Sequence, residues 1–238
     1  MTSKETLAKI ESIIPLTDSI LQLMLAPDEY IEYQAGQYLQ ILFKDEAYSY
    51  SIANAPLGSH KYELHIRHSP DNPHIEALLS DMKRIGAVSI RLPFGFCSLS
   101  HLRPDKPILF IAGGTGFAPI KAMIEQLLAN GKTQPFELFW GARTQSDLYM
   151  DDKVSYWHTH VPHFQYVSEL SGSEKGTLAS QVLKRHAHDL HLWQMVISGP
   201  FDMVYDIRDC LLTAGAIQED LFSDAFEGME FVQNSVKE

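Results

Sequence analysis

The chain has 238 residues, and its hydrophobic content of 45% is ordinary for a globular protein. The formal net charge of −11 and the lack of a long basic cluster disfavour binding to nucleic acid or to an anionic membrane. Two cysteines, Cys97 and Cys210, are too few for a cysteine-ligated iron–sulfur cluster, and the lack of a bilayer-length apolar run or a signal-peptide core predicts a cytoplasmic protein.

The first part of the chain reads as short strands separated by turns. The clearest strand is 62–67, where apolar and polar residues alternate so that the apolar ones share one face. One helix, 75–82, interrupts the set. Several strands at regular spacing predict a small antiparallel β-barrel over residues 1–100. The predicted strands are 7–14, 19–25, 38–43, 48–53, 62–67 and 87–92.

A glycine-rich segment opens the second part of the chain. The apolar run 108–112 suits a strand buried on both faces, and the glycine cluster 113–116 follows it. Pro119 lacks an N–H group and fits the first turn of a helix. A strand, a glycine loop and a helix in this order aim free N–H groups and a partial positive charge at one point, which favours a phosphate. The alternative is a tight turn that binds nothing.

Strands and helices alternate from this segment onwards. This rhythm predicts an α/β domain with a doubly wound parallel sheet over residues 101–238, joined to the barrel by a linker at 101–107. The predicted fold is therefore a two-domain one. The predicted strands are 136–141, 164–167 and 194–198, and the predicted helices are 119–129, 178–185 and 201–213.

The glycine segment departs from the dinucleotide fingerprint of dehydrogenases at two points. Pro119 stands where the third glycine would be, and the second strand ends in 140–143 without a carboxylate for the ribose. These departures weaken a standard Rossmann interpretation. A nicotinamide site of another layout remains open.

Six motifs occur in a fixed order along nearly the whole chain. They are 35–38 (AGQY), 50–56 (YSIANAP), 112–119 (AGGTGFAP), 139–143 (FWGAR), 198–200 (SGP) and 221–226 (LFSDAF). The ordered set resembles the NAD(P)H:flavin oxidoreductase family of the ferredoxin–NADP reductase superfamily. The resemblance implies a flavin-binding barrel at 1–100, an NAD(P)-binding α/β domain at 101–238, and an active site in the crevice between them.

The resemblance also implies the reaction and the residues of the flavin site. The reaction is hydride transfer from NADH or NADPH to FAD, FMN or riboflavin, taken as a substrate or as a loosely bound group. A strand that usually reads Arg-x-Tyr/Phe-Ser in this family reads YSYS at 48–51. By resemblance, Tyr50 lies along the flavin ring, the Ser51 hydroxyl approaches flavin N5, and backbone groups of Ile52 and Ala53 contact the ring edge. The alternative is that Tyr50 and Ser51 belong to an ordinary barrel strand.

Tyr48 is the main departure from the family pattern, because the arginine usually found there holds the flavin phosphate. Loss of a charge-assisted hydrogen bond costs about 1.5–3 kcal/mol. That loss weakens flavin binding by about ten- to a hundredfold. His65 and Arg67 on strand 62–67 are candidates for compensation. The change suits an enzyme that releases its flavin, and it also fits a relative that has lost flavin.

The resemblance places the nicotinamide nucleotide on the second domain. The glycine cluster would receive the pyrophosphate, the SGP motif would border the nicotinamide, and an aromatic residue near the end of the chain would cover one ring or anchor the core. A basic residue after the second strand would meet the 2′-phosphate of NADPH, unless it is an ordinary exposed arginine. These residues are Gly113, Gly114, Thr115 and Gly116, then Gly199 and Pro200, then Phe226 and Arg143.

Three functions follow as hypotheses. The first is a flavin reductase that releases reduced flavin. The second is a reductase subunit that keeps FAD or FMN and passes electrons to a protein such as an iron–sulfur protein or an oxygenase. The third is a non-catalytic nucleotide-binding relative. The histidines at 158–163 and 186–191 lack the pattern of a zinc site, so no metal is predicted.

Overall fold

Two structural units divide the chain in a computed structural model that describes residues 2–172 and 176–226. The first unit comprises the described residues up to Leu99 together with Lys121–Gly131. The second unit comprises Ser100–Ile120 and the described residues from Lys132 onwards. The end of the predicted second domain, 227–238, lies outside the described residues.

The first unit is built on a six-stranded antiparallel sheet with the strand order β4-β3-β6-β1-β2-β5. An antiparallel bridge between Ile52, just after β4, and Leu64 on β5 joins the two edges, so the sheet closes on itself. The strands are β1 Lys4–Thr17, β2 Ile20–Pro27, β3 Tyr38–Phe43, β4 Glu46–Ser51, β5 Tyr62–Arg67 and β6 Ala87–Phe94. The predicted antiparallel barrel is confirmed.

One helix, α1 (Pro73–Ile85), lies between β5 and β6 in the chain. The Asn72 side chain caps it by accepting a hydrogen bond from the Ile75 amide at 3.3 Å. Gly86 ends it with a φ of 75°, the left-handed conformation that glycine adopts without strain. Local sequence signals thus set both ends of this helix.

The second unit is built on a five-stranded parallel sheet with the order β11-β10-β7-β8-β9. Its strands are β7 Ile108–Gly113, β8 Phe136–Ala142, β9 Phe164–Leu170, β10 Gln194–Ser198 and β11 Leu221–Phe222. The helices between these strands are α2 Phe117–Ala129, α3 Asp151–His160, α4 Leu178–His186 and α5 Phe201–Thr213. The predicted α/β architecture is confirmed, and every residue of β7 is buried, as expected for a central parallel strand.

Helix α3 was not predicted from the sequence. Its β-branched and aromatic residues are weak helix formers, and it has little amphipathic character. Asp151 and Asp152 occupy its first turn, and His158 and His160 occupy its last turn. These charges complement the helix dipole, so the first two histidines of the 158–163 run belong to a helix end.

Candidate functional site

Strand β4 carries the residues predicted to face the flavin. Its pairing with β3 places Ser51 opposite Tyr38 and Tyr50 opposite Leu39. Because paired side chains share a face of the sheet, Tyr50 packs against the core with Leu39, and Ser51 lies on the other face. Within the described residues the half-buried hydroxyl of Ser51 makes no hydrogen bond, so it is available to a ligand.

The two tyrosines of β4 differ in their surroundings. Burial raises the pKa of Tyr50 to about 12, so its hydroxyl stays protonated at neutral pH. The Tyr48 hydroxyl donates a hydrogen bond to the exposed carboxylate of Glu46, which raises the pKa of Tyr48. Position 48 therefore presents a phenol beside a carboxylate. This pair offers no positive charge to a phosphate group, whereas the Ser51 hydroxyl, on the face opposite Tyr50, offers a polar contact to a ligand.

The two candidates for compensation lie at different depths on β5. His65 is buried, and its Nε2 lies 2.9 Å from Glu63 Oε1. Burial lowers the pKa of His65 despite the nearby Glu63, so the imidazole is neutral and supplies no charge to a phosphate. Arg67 ends β5 and is exposed, so it stays the one candidate cation of this pair.

The backbone after β4 already makes several hydrogen bonds within the first unit. The Ile52 amide donates to the Gln37 carbonyl at 3.0 Å, and the Ala53 amide donates to the Glu63 carbonyl at 2.7 Å. The Ile52 amide thus extends the pairing of β4 with β3, and the Ala53 amide joins the chain to β5, so both amides are already used. The predicted contacts of Ile52 and Ala53 with the flavin ring would therefore come from their remaining backbone atoms.

A buried ion cluster beside this backbone was missed by the sequence analysis. Lys121 on α2 is 2% exposed and Glu63 on β5 is 6% exposed, and the Lys121 ammonium lies 3.0 Å from Glu63 Oε2. The same ammonium lies 3.0 Å from Glu125 Oε1 and donates to the Ala53 carbonyl at 2.9 Å. The sequence signal was a Lys–Glu pair four residues apart on an otherwise apolar helix.

The charges of this cluster shift the pKa of its carboxylate. Burial alone would raise the pKa of Glu63, but the hydrogen bond from His65 and the positive charge of Lys121 lower it well below its usual range. Gln22 donates a further hydrogen bond to Glu63 Oε1 at 2.7 Å. Glu63 therefore stays ionised inside the first unit at all but strongly acidic pH.

The glycine loop of the second unit joins β7 to α2. Gly114 has a φ of 53°, which an L-residue adopts only with strain. A Cβ on Gly116 would lie 2.2 Å from the Ser198 carbonyl oxygen, and a Cβ on Gly113 would lie 2.3 Å from the Met203 sulfur. Close packing against the Ser198 backbone therefore requires glycine at position 116, whereas the flexible Met203 side chain could move away from a Cβ at position 113.

Two helix N-termini follow neighbouring strands of this sheet. Strands β7 and β10 pair in parallel, so their carboxyl ends lie at the same edge. Helix α2 begins shortly after the glycine loop, and α5 begins after Gly199 and Pro200, with Pro200 at its N-cap. Gly199 has a φ of 154°, and a Cβ on it would lie 3.1 Å from the Gly113 Cα. The two loops are thus in contact, and such paired N-termini suit an anionic ligand.

Two aromatic side chains, Trp140 and Phe117, pack beside the glycine loop. The Trp140 indole N–H donates to the Gly114 carbonyl at 3.0 Å, and its ring stacks on Phe117 with centroids 4.1 Å apart. Trp140 is fully buried on β8. Thr115, between two loop glycines, is half-buried. A fixed carbonyl at Gly114 helps to hold the loop in one conformation.

The remaining candidates of the second unit differ in exposure. Arg143 follows β8, is exposed, and makes no ion pair with another described residue. Phe226 is half-buried against the core of this unit, with its ring centroid 6.2 Å from that of Tyr205 and the Arg208 guanidinium 5.7 Å from its ring. These contacts are those of a core anchor.

Metal-binding clusters and membrane-spanning helices are both absent from residues 2–172 and 176–226. In that part of the chain, no group of three or more His, Cys, Asp or Glu side chains is arranged to hold a metal ion. No helix there has both the length and the hydropathy needed to cross a bilayer.

Comparison with known proteins relates this chain to flavin-dependent reductases. A family model described as an oxidoreductase NAD-binding domain matches residues 110–209. The chain is 29% identical over 231 residues to an NAD(P)H-flavin reductase of Vibrio harveyi, a match that covers 92% of this chain and 97% of that protein. It is 31% identical over 217 residues to reductase component 2 of a Comamonas terephthalate 1,2-dioxygenase, covering 87% of this chain.

The relatives differ in length. The chain spans 63% of the dioxygenase reductase, and 64% of a CDP-6-deoxy-L-threo-D-glycero-4-hexulose-3-dehydrase reductase of Yersinia pestis to which it is 32% identical over 214 residues, covering 87% of this chain. Among solved structures, a ferredoxin NADP+ reductase from Neisseria gonorrhoeae with bound FAD and NADP has a TM-score of 0.78 at 19% identity. That match covers 92% of this chain and 98% of that chain. It shows that the two chains share a fold.

The buried neutral His65 predicts a pH dependence of stability. The unfolded chain protonates this imidazole near its ordinary pKa of about 6.5, whereas the folded chain does so at lower pH, so stability falls as pH drops below about 6.5. The slope approaches about 1.4 kcal/mol per pH unit for one proton. His65→Gln keeps a hydrogen-bond donor for Glu63 but cannot titrate, so we expect a flatter slope between about pH 7 and pH 5.

Urea unfolding followed by circular dichroism at several pH values measures this slope. The control is His188→Gln, which alters an exposed histidine in the second unit and should leave the slope unchanged. An equal slope in wild type and His65→Gln would contradict the assignment of a buried neutral imidazole.

Proposed function

We propose that this chain is an NAD(P)H-dependent flavin reductase, a member of the NAD(P)H:flavin oxidoreductase family of the ferredoxin–NADP reductase superfamily; its matches to an oxidoreductase NAD-binding domain and to NAD(P)H-flavin reductases support this proposal. The observation that carries the proposal is the Ser51 hydroxyl, which has no partner among the described residues and lies beside Tyr50 on the predicted flavin strand. The similarity to the Vibrio harveyi flavin reductase, over 97% of that protein, supports the same activity.

The reaction needs little chemistry from the protein. When bound, the nicotinamide supplies a hydride at C4 and the flavin accepts it at N5. We assign Ser51 to hold flavin N5 through its hydroxyl, and Tyr50 to support the ring with its half-buried face. The protonated Tyr50 hydroxyl can donate a hydrogen bond but cannot act as a base near neutral pH. The role of these residues is therefore to orient the ring and exclude water.

The second unit supports binding of the nicotinamide nucleotide. We assign the pyrophosphate to the loop Gly113–Gly116, whose backbone N–H groups lie near the start of α2. The close packing of this loop against the residues before α5 fixes the position of those groups. Arg143 is the candidate for the 2′-phosphate of NADPH, since it is exposed and makes no ion pair with a described residue.

The flavin is proposed to bind loosely and to leave after reduction. Tyr48 and Glu46 place no positive charge where the family has an arginine, and His65 is buried and neutral. Arg67 is the remaining candidate for the flavin phosphate. We also propose a cytoplasmic location, which fits two cysteines that form no disulfide among the described residues.

The alternative is a reductase subunit that retains FAD or FMN and passes electrons to a protein partner. It is favoured by the 31% identity to the reductase component of a dioxygenase. Purified protein that is yellow and keeps its flavin through gel filtration would support this alternative. Colourless protein that oxidises NADH or NADPH only after addition of riboflavin, FMN or FAD would support the flavin reductase. No flavin-dependent oxidation with any pair would contradict both.

Ser51→Ala tests the assigned role of the hydroxyl. We expect turnover to fall at least about tenfold, which corresponds to the loss of about 1.4 kcal/mol of transition-state stabilisation. The KM for NADH should stay nearly unchanged, because the nucleotide is assigned to the second unit. Ser49→Ala, an exposed serine on the same face of β4, is the matched control. Equal turnover in Ser51→Ala and wild type would remove Ser51 from the mechanism.

Tyr48→Arg tests the missing phosphate anchor. Restoring a charge-assisted hydrogen bond should tighten FMN and FAD binding by about ten- to a hundredfold. Riboflavin has no phosphate, so its dissociation constant should change little. Fluorescence quenching of each flavin measures these constants, and Tyr48→Phe serves as a control without a cation. A gain of affinity for riboflavin equal to that for FMN would show that the new arginine does not meet the phosphate.

A further inference from the structure

We propose that Lys121 is a positioning residue for the flavin site, through a buried ion cluster that holds the segment Ala53–Ala55. This inference rests on the proposed function, because that segment follows the strand assigned to the flavin. All members of the cluster belong to the first unit, as Lys121 and Glu125 lie in its portion of α2.

The ammonium of Lys121 uses all three of its protons. Its Nζ lies 2.9 Å from the Ala53 carbonyl oxygen, 3.0 Å from Glu63 Oε2 and 3.0 Å from Glu125 Oε1. The side chain is 3% exposed, so water does not replace a lost partner at low cost. One cation thus ties a backbone carbonyl to two carboxylates.

The segment 53–55 is held at each of its residues. The Ala55 amide donates to Glu125 Oε2 at 3.3 Å, so the second oxygen of this carboxylate also binds the segment. The Asn54 side chain accepts from the Glu63 amide at 2.8 Å, and the Asn54 carbonyl accepts from the Tyr33 hydroxyl at 2.8 Å. The charged cluster therefore supplies the contacts at both ends, and neutral groups hold the middle.

Removal of the cation would disturb this arrangement more than removal of a surface charge. Without Lys121, the buried carboxylate of Glu63 would face Glu125 with no positive charge between them. Gln22 and the neutral His65 can donate hydrogen bonds to Glu63 but cannot offset its charge. We expect the two carboxylates to move apart and to carry the Ala53–Ala55 backbone with them.

A shift of the Ala53–Ala55 backbone would reach the proposed flavin site because the two are close along the chain. Ser51 is two residues before Ala53, and the Ile52 bridge leaves little room to absorb a shift between them. A displacement of about 1 Å at a reacting centre can lower the rate by about a hundredfold. Lys121 thus acts on the flavin through the backbone and does not touch it.

Lys121→Met is the first test, with riboflavin and NADH as the substrates. We expect the KM for riboflavin to rise at least about tenfold while the KM for NADH stays within about twofold. Lys121→Arg restores the cation and should bring the riboflavin KM back to within about threefold of wild type. A merely structural lysine would alter both KM values or neither.

Lys106→Met is the matched control. Lys106 belongs to the second unit, where its ammonium binds the Asp220 carboxylate and donates to the His191 carbonyl at 3.1 Å. Both Lys106→Met and Lys121→Met should lower the melting temperature. Only Lys121→Met should also raise the riboflavin KM. An equal rise of that KM in Lys106→Met would assign the effect to general destabilisation and overturn the proposal.

Glu125→Gln is the second variant, and it decides the question if Lys121→Met does not fold. Its amide can still accept from Lys121, but its NH₂ group replaces the oxygen that accepts from Ala55. We expect a rise of the riboflavin KM of about threefold or more. An unchanged riboflavin KM in folded Glu125→Gln would overturn the proposal.

Hydrogen–deuterium exchange separates this proposal from the proposed function. The amides of Ala53 and Ala55 should exchange at least about fivefold faster in Glu125→Gln than in wild type, with no flavin present. Wild type that oxidises neither NADH nor NADPH after addition of riboflavin, FMN or FAD would refute the reductase, yet the exchange rates would still report whether the cluster holds the segment. Unchanged exchange at both amides would overturn the role of Lys121 regardless of activity.

Discussion

Closure of the antiparallel sheet between Ile52 and Leu64 is the constraint on which the flavin half of this chain depends. The bridge joins the two edge strands, so β4 has to leave the sheet directly after Ser51. Directly after β4, the backbone amides of Ile52 and Ala53 donate hydrogen bonds to the carbonyl groups of Gln37 and Glu63. The Ser51 hydroxyl, on the face opposite the core, makes no hydrogen bond among the described residues, and the proposed flavin site uses this group.

In the second unit, packing explains glycines that a motif would assign to phosphate. Gly116 and Gly199 have neighbours so near that a methyl group would collide with the Ser198 backbone or with Met203. The close approach brings the loops after β7 and β10 together, and with them the starts of α2 and α5. The proposed anion site would then be a consequence of the packing, since two helix N-termini share one edge of the sheet. The glycines thus serve the site by allowing this approach.

Local sequence patterns predicted those features that depend on neighbours in the chain. The alternation at Tyr62–Arg67 and the apolar run of β7 predicted the two strands and the core position of their apolar residues. The alternation did not predict that the polar residues Glu63 and His65 of β5 are buried as well. Helix α3 was missed, since its weak propensities are overridden by packing of Val154 and Trp157. The ion cluster was also missed, because Glu63 and Lys121 are 58 residues apart. The alternation in β5 and the apolar pattern of α2 do not indicate which distant residue pairs with a buried charge.

The distribution of charge in the first unit connects the buried cluster to the handling of flavin. Glu63 and Glu125 take up the ammonium of Lys121 in the interior, where a charge without a partner is costly. On the surface of β4 no buried charge needs a partner, because the exposed Glu46 carboxylate accepts a hydrogen bond from the Tyr48 hydroxyl. Strong interactions therefore order the backbone that we propose orients the flavin ring, whereas the site assigned to the phosphate holds no matching charge on β4. Such a division favours precise placement of the isoalloxazine together with rapid release of the whole flavin, which is what an enzyme needs when its flavin is a substrate.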